Sequence, residues 1–220
     1  PLILSSTDRF WMIISGEVNV FYTEIDEEGE YLCAIKYLYS AKKGELLFSL
    51  LPQECNNNIR LVVFSSEAAL LSINKSNLLN IDHFFLKNMI NKWILKTSSE
   101  LNHLNAPRVY NALDDNDKLI LKENALAYPA HGINWVTLIN GSLSIFSEEI
   151  NVGCNDKPNF PIPVSNKLWI KSLSDNTEIR ILNTTEVIAE EINFLISLEK
   201  IQSYFNIQLS KNIESNRLFE

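Results

Sequence analysis

Phe10-Trp11-Met12-Ile13-Ile14-Ser15-Gly16-Glu17-Val18-Asn19-Val20-Phe21 matches Trp135-Val136-Thr137-Leu138-Ile139-Asn140-Gly141-Ser142-Leu143-Ser144-Ile145-Phe146, and this agreement decides the fold. Both stretches share one frame: an aromatic, five residues, Gly, any residue, then aliphatic, polar, aliphatic, Phe. The alternation after each glycine has period two, which a half-buried strand requires. The Ser15-Gly16 and Asn140-Gly141 pairs suit a tight turn with positive φ. Each copy therefore reads as strand, turn, strand.

The two copies also end alike. Ala68-Ala69-Leu70-Leu71-Ser72-Ile73-Asn74 parallels Thr177-Glu178-Ile179-Arg180-Ile181-Leu182-Asn183. Each is a strand that stops at Asn and is followed by helical periodicity. Asn183 with Glu186 three residues on has the form of a capping box, and Asn74 or Ser76 could cap the first helix. That helix is expected over about 76–102, with Leu78, Ile81, Phe85, Met89 and Trp93 on one face. The last helix is expected over about 185–210, with Ile188, Ile192, Leu195, Ile201, Phe205 and Leu209 apolar. Asn105-Ala106-Pro107 breaks the first helix, and Asp114-Asp115-Asn116-Asp117 is a polar turn in the connection.

Further short strands are expected at about 2–5, 31–39, 45–50 and 60–65 in the first copy, and at about 118–122, 125–128 and 167–173 in the second. Asp26-Glu27-Glu28-Gly29-Glu30 reads as an exposed hairpin loop, and about 150–166 as an extended loop. Short strands at regular spacing mean a sandwich or barrel. The expected fold is mainly β with helices: two tandem β-rolls of jelly-roll type, each followed by an α-helix. The expected domains are about 1–104 and 105–220.

Composition bounds the function. The 220 residues are 46% hydrophobic and 21% charged, enough for a core and too apolar for disorder. A formal charge of −8 argues against a broad nucleic-acid surface, which needs a basic face. No apolar run approaches the ~18 residues of a membrane span, so the stretch reads as soluble. Cys33, Cys55 and Cys154 are odd in number and form no CxxC, which points to a reducing compartment. Residue 1 is Pro, and strand-like sequence begins at once, as expected of a part of something longer.

A β-roll followed by a helix, with Ser15-Gly16-Glu17-Val18 in a hairpin and Lys43-Gly44-Glu45-Leu46-Leu47 later, resembles the cyclic-nucleotide-binding fold. The resemblance implies that Gly44, Glu45 and Leu46 begin a phosphate-binding cassette. In that family Glu accepts from the ribose hydroxyl and Arg pairs the phosphate. Arg60 is the one cation for the latter role, since the family's Pro-Arg pair is replaced by Pro52-Gln53-Glu54-Cys55. The second copy lacks Gly-Glu-Leu, and its expected equivalent is Lys167-Leu168-Trp169-Ile170-Lys171.

A longer ordered set is similar to the N-terminal region of one group of bacterial ABC transporters. These are the ATPase/permease subunits that export bacteriocin-type peptides with nitrile-hydratase-like leaders. The set is Trp11, Ser15-Gly16-Glu17-Val18, Phe21 and Gly44-Glu45-Leu46-Leu47-Phe48-Ser49-Leu50, then Trp135-Val136 to Gly141, Pro161-Ile162-Pro163 and Leu168-Trp169-Ile170. It spans nearly the whole chain and departs at Ser49, where the family usually has Gly. The resemblance implies a non-catalytic regulatory or accessory region at the cytoplasmic face of the cell membrane. Transmembrane helices and an ATPase domain holding ATP and Mg would follow in the parent chain, with no cofactor in this part. Implied partners are the transporter core of the same polypeptide, the cargo leader peptide, and a second copy through the parent transporter. No GxxxxGK[ST] occurs in the chain, so it lacks that ATPase chemistry itself. The alternative is a stand-alone cyclic-nucleotide or small-molecule sensor with Glu45 and Arg60 as ligands.

Enzyme chemistry fares poorly. A cupin-type metal enzyme needs a His-x-His pair, a carboxylate and a third His on barrel strands. His83, His103 and His131 do not supply that spacing. Cys33 falls in a strand pattern and reads as core, and nothing near Cys154 would activate its thiol. Asp114, Asp115 and Asp117 lack the frame of a calcium loop. Phe10, Trp11, Trp135 and Trp169 read as packing between roll and helix, and of the adjacent Phe84 and Phe85 one is expected to face outward.

Overall fold

The computed structural model describes residues 1–26, 28–51, 58–102, 104–113, 117–145, 150–153 and 160–217, with backbone only at 150, 216 and 217. The chain divides into two compact units, Pro1–Leu101 with Gln202–Glu220, and Asn102–Ile201. Each is mainly β and has a long helix.

The first unit contains β1 (Leu2–Leu4), β2 (Arg9–Ser15), β3 (Glu17–Glu24), β4 (Lys36–Lys42), β5 (Leu46–Phe48), β6 (Ile59–Phe64), β7 (Ala69–Asn74), a 3-10 helix (Lys75–Asn80) and α1 (His83–Leu101). The strands form two antiparallel sheets, ordered β1-β6-β3-β4 and β5-β2-β7. Alternate residues of β3, Val18, Val20 and Tyr22, are buried, together with Phe10, Trp11 and Ile13 of β2 and Leu46, Leu47 and Phe48 of β5.

The second unit contains β8 (Asn111–Ala112), β9 (Lys118–Leu121), β10 (Leu126–Tyr128), β11 (Asn134–Asn140), β12 (Ser142–Ile145), β13 (Ile150–Gly153), β14 (Ile162–Val164), β15 (Ile170–Ser172), β16 (Thr177–Leu182), α2 (Thr184–Ala189) and the part of α3 (Ile192–Arg217) up to Ile201. Its sheets run β13-β12-β15-β10-β8 and β14-β11-β16-β9, antiparallel except for the short parallel pair β8–β10. The two units are thus β-rolls of one design, and the fold expected from the repeat is the one observed.

The repeat extends to details of register. β2 pairs β7 through Phe10↔Ile73, and β11 pairs β16 through Trp135↔Leu182. Both pairings shift register at the same place, between Ile13 and Ser15 and between Leu138 and Asn140. Gly16 and Gly141 come next in the chain, with φ of 77° and 89°. In each case the glycine lies against the start of the closing strand, at Ala68 and at Thr177. Phe10, Trp11, Trp135 and Trp169 are all buried, as packing requires.

Several elements differ from the sequence expectation. The first helix begins as a 3-10 turn and becomes α only at His83, where Asp82 Oδ1 accepts from the N–H groups of Phe84 (3.0 Å) and Phe85 (3.3 Å). Asn74 makes no side-chain cap. The buried stripe of α1 is Leu86, Ile90, Trp93, Ile94, Thr97 and Leu101, one position on from the expected face. Phe84 and Phe85 therefore both face solvent, 68% and 63% exposed. The strand expected at 31–39 forms later, as β4, and Cys33 is half-buried rather than core, its carbonyl accepting from Thr23 Oγ1 at 3.0 Å. The stretch 150–166 is not one loop: β13 extends the sheet beside β12, and β14 pairs with β11. The prolines flanking Ile162 mask β14 in the sequence, because proline cannot donate to a ladder and is tolerated only at such an edge.

The last helix is two helices. Glu191 adopts φ 40°, a left-handed conformation that interrupts the α path between α2 and α3. Residues up to Ile201 belong to the second unit and Gln202–Glu220 to the first, whereas the sequence reading assigns all of 105–220 to the second. Side chains within the first unit account for this. Gln202 Nε2 donates to Ser49 O (2.6 Å), Gln202 Oε1 accepts from the buried Lys75 (2.9 Å), and Asn206 Nδ2 donates to Leu51 O (2.7 Å). A line of rings joins Phe10 to Phe48 (6.1 Å), Phe48 to Trp93 (4.5 Å) and Trp93 to Phe205 (5.5 Å).

The expected capping box is present in full. Asn183 Oδ1 accepts from the N–H groups of Thr185 (2.9 Å) and Glu186 (3.1 Å), and Glu186 Oε2 accepts from the Asn183 N–H (2.7 Å). Replacing Asn183 with alanine should cost about 1 kcal/mol, read as a lowered urea midpoint at unchanged slope.

Candidate functional site

The turn Lys43-Gly44-Glu45 is laced to β2 and to Gly16 after it through its backbone; β2 and β3, expected as a hairpin, lie in different sheets and do not pair. Lys43 N–H donates to Gly16 O (3.0 Å), Gly44 N–H to Ile13 O (2.8 Å), and Ile13 N–H to Glu45 O (3.1 Å). Gly44 has φ 82°, which glycine adopts without strain. The chain then passes from the sheet of β4 to that of β5, where Leu46 is buried in the core. Residues 46–48 are strand, and residues 52–57, in the expected cassette region, lie outside the described residues.

Glu45 is the unusual residue of this turn. Its side chain is only 7% exposed, yet it carries a charge. Two lysines one helical turn apart on α1 converge on it. Lys92 Nζ lies 2.9 Å from Oε1, and Lys96 Nζ bonds to Oε2. Lys96 also donates to Ser40 O at 2.8 Å. Burial pushes the Glu45 carboxyl pKa up, but the bonds from Lys96 and Lys92 outweigh it and hold the group below the ordinary glutamate value. Both carboxylate oxygens are therefore paired with a cation from the same chain, Oε2 by a hydrogen bond from Lys96 and Oε1 by the ion-pair contact with Lys92.

The pairing has a pH signature. A depressed folded-state pKa adds stability above the ordinary glutamate pKa, and that stability is lost as pH falls through the folded value. Glu45→Gln should thus destabilise the protein by about 1–2 kcal/mol at pH 7. That is less than the ~3–5 kcal/mol for breaking a fully buried pair, because Lys92 and Lys96, 47% and 29% exposed, can regain water. The gap between the two proteins should close as pH falls below the ordinary glutamate pKa and through the lower folded value, which parallel urea titrations would read.

Arg60, the expected phosphate partner, lies on β6 in the other sheet from β5. Its Nη1 donates to Ile59 O at 2.9 Å. Gly44 and Glu45 thus form the turn and Leu46 opens β5, with the Glu45 carboxylate directed at α1. Lys92 and Lys96 are the functional residues that the sequence reading misses. A signal for them exists: they flank the buried Trp93 and lie four residues apart on one helix.

The second unit has a counterpart at a place other than the expected Lys167–Lys171. β5 pairs with β2 through Phe48↔Phe10, and β14 pairs with β11 through Pro163↔Trp135. Phe160 therefore holds the position of Glu45, three residues before the paired residue. The buried stripe Leu86, Ile90, Trp93, Ile94 of α1 corresponds to Phe194, Leu198, Ile201, Gln202 of α3, which sets Lys200 opposite Lys92. Lys200 Nζ lies 5.5 Å from the centre of the Phe160 ring, a cation–π distance. One helix lysine meets the equivalent position in both units, a carboxylate in the first and an aromatic ring in the second.

Among the described residues, no group of three or more His, Cys, Asp or Glu is placed to hold a metal ion. His103, Cys55, Cys154, Asp114 and Asp115 lie outside the described residues. No helix of the described residues is long and apolar enough to cross a membrane.

No family model matches the chain, and no curated protein matches it. Solved structures similar to it include the regulatory subunit of a cAMP-independent protein kinase A from Trypanosoma brucei, at 12% identity and a TM-score of 0.31 over 92% of this chain and 75% of that one. The regulatory domain of Toxoplasma gondii protein kinase A with cAMP is similar at 13% identity and a TM-score of 0.22 over 97% and 80%. An oxalate decarboxylase mutant from Bacillus subtilis is similar at 11% identity and a TM-score of 0.18 over 80% and 63%. At these TM-scores none of the three assigns a ligand or an activity to this chain.

Proposed function

We propose that this chain is a non-catalytic regulatory module whose two cyclic-nucleotide-binding-like rolls take no nucleotide. One observation carries the reading. The carboxylate matching the family's ribose acceptor, Glu45, is bonded to Lys92 and Lys96, and Phe160 stands in its place in the second unit. A ribose hydroxyl would have to displace two charge-assisted contacts and leave a lysine–carboxylate cluster desolvated and broken, at a cost it cannot recover. In place of a ligand, each roll engages its own helix.

The ordered motifs of both rolls support a setting in a bacteriocin-type peptide-exporting ABC transporter. There the module would lie at the cytoplasmic face of the membrane, with the transporter core of the same polypeptide as its first partner, dimeric through that core. ATP and Mg would belong to the ATPase domain of the parent chain. Reading the coding frame past Glu220 tests the setting: apolar stretches of about 20 residues and then a GxxxxGK[ST] loop are expected. A stop codon close to Glu220 would overturn it.

Calorimetry tests the ligand-free reading. Titration with cAMP or cGMP should give no saturable heat up to about 1 mM. Saturable binding at micromolar concentration, abolished by Glu45→Ala, would instead establish the nucleotide-sensor alternative.

A further inference from the structure

β7 and β16 are equivalent strands of the two rolls, and they are covered differently. β16 lies between β11 and β9, and it pairs with β9 through Thr177↔Leu121, Glu178↔Ile120, Ile179↔Leu119 and Arg180↔Lys118. Ile181 N–H donates to Asp117 O at 2.8 Å along the same edge. β7 pairs with β2 alone, so among the described residues its other edge has no strand. Burial follows the difference. Thr177, Ile179 and Ile181 are buried in the second unit, whereas their equivalents Ala68 and Leu70 are half-buried and Ser72 is exposed. Leu71 is 49% exposed.

The edge is also unguarded. Lone edge strands are commonly blunted by charged residues or proline. Ala69-Leu70-Leu71-Ser72-Ile73-Asn74 has neither. In the second unit Glu178 of β16 meets Lys118 of β9 at 3.6 Å, and Ala69 stands in the place of Glu178. The seat on β7 is therefore apolar, made for an uncharged strand.

The repeat says where such a strand belongs in the chain. One offset of 125 residues relates Leu2 to Ala127, Phe10 to Trp135 and Gly16 to Gly141. Leu2 opens β1 and pairs with Val63, as Ala127 of β10 pairs with Ile170. β9, Lys118–Leu121, lies six to nine residues ahead of Ala127. Its counterpart falls six to nine residues ahead of Leu2, before Pro1. Leu119 and Leu121 are the β9 residues turned toward the roll, half-buried and buried.

We propose that the open edge of β7 seats an antiparallel strand of the same polypeptide, encoded just ahead of Pro1. Its aliphatic residues stand six and eight positions before Leu2, opposite Ala68 and Leu70. The pairing is strand addition within one chain, with main-chain bonds supplying the affinity and alternate side chains the fit. Neither a nucleotide nor the transporter setting enters, so this inference goes beyond the function proposed above.

Two measurements test it. The coding frame ahead of Pro1 should place aliphatic residues at those two positions. Charged residues or proline there, or a start codon directly at Pro1, would overturn the proposal. The chain extended by its ten native upstream residues is then compared with residues 1–220 by amide hydrogen exchange. Exchange at Leu70 and Ser72 should slow at least about tenfold, while Ile179 and Ile181 stay unchanged. Aspartate at the two aliphatic positions should restore the faster exchange. Equal exchange with and without the extension would overturn the proposal. So would a dimer of the extended chain that Leu71→Lys abolishes, since a second copy would then hold the edge.

Discussion

Trp135→Ala is expected to lower the stability of the second unit by about 3–5 kcal/mol, the usual range for emptying a large buried aromatic site. Trp135 is fully buried on β11, between β14 and β16. Its Nε1 donates to Thr184 Oγ1 at 3.0 Å, tying the strand to the first turn of α2. Alanine removes the packing of the indole and the donor together. Trp135→Phe keeps most of the volume and loses only the hydrogen bond, so about 1–2 kcal/mol is expected. Urea unfolding of the three proteins would separate the two contributions. A loss under about 1 kcal/mol for alanine would mean that the shared frame of the repeat does not mark its core.

Gly141→Ala should come next in size, at about 3 kcal/mol. Two costs combine. The residue sits at φ 89°, where an L side chain costs roughly 1–2 kcal/mol. An added Cβ would also lie 2.7 Å from Thr177 Oγ1, 2.8 Å from Ser174 Oγ and 3.0 Å from Thr177 Cα, which overpacks the turn by a further 1–3 kcal/mol or so. Thr177 is fully buried, and its hydroxyl bonds to Ser172 Oγ at 2.6 Å and Ser174 O at 2.8 Å, so it cannot simply swing aside. Gly29→Ala is the control. Its φ is 90°, yet nothing lies within 4 Å of the added carbon, so only the backbone cost of roughly 1–2 kcal/mol applies. Equal losses at the two positions, measured by urea midpoint, would show that close packing at Gly141 plays no part.

Gly141 and its counterpart Gly16 also explain why the fold is legible in sequence. Positive φ and close approach both demand glycine, and the same demand falls at the same point of each roll, so the two glycines mark equivalent turns that carry the chain from one sheet to the other. The Asn183 cap is legible for a similar reason: its partners are three residues away or fewer. Long-range features are not. The sequence misplaces the face of α1 by one residue because Phe84, Phe85 and Met89 are as apolar as the buried Leu86 and Ile90, and only the roll they pack on decides between them. Pro161 and Pro163 hide β14, although its pairing with β11 is what identifies Phe160 as the counterpart of Glu45 in the repeat.

The candidate site is half legible. Gly44-Glu45-Leu46 stands out by resemblance, and the backbone of Lys43, Gly44 and Glu45 is bonded to β2 and Gly16 just before β5 begins at Leu46. The resemblance says nothing of what saturates Glu45, because Lys92 and Lys96 come from a distant helix, with 51 residues separating Lys96 from Glu45. No local rule connects them. Once α1 is packed through Leu86, Ile90 and Trp93, the two lysines rise on the side of the helix that faces the turn.

The most direct measurement is a carbon-13 NMR titration of the Glu45 side-chain carboxyl, in the unaltered protein and in Lys92→Ala with Lys96→Ala. With both lysines in place, its midpoint should lie below the ordinary glutamate value, and removing them should raise it above that value, since burial alone then acts. A midpoint at or above the ordinary value in the unaltered protein would contradict the central claim, because Glu45 would then be free to serve a ligand.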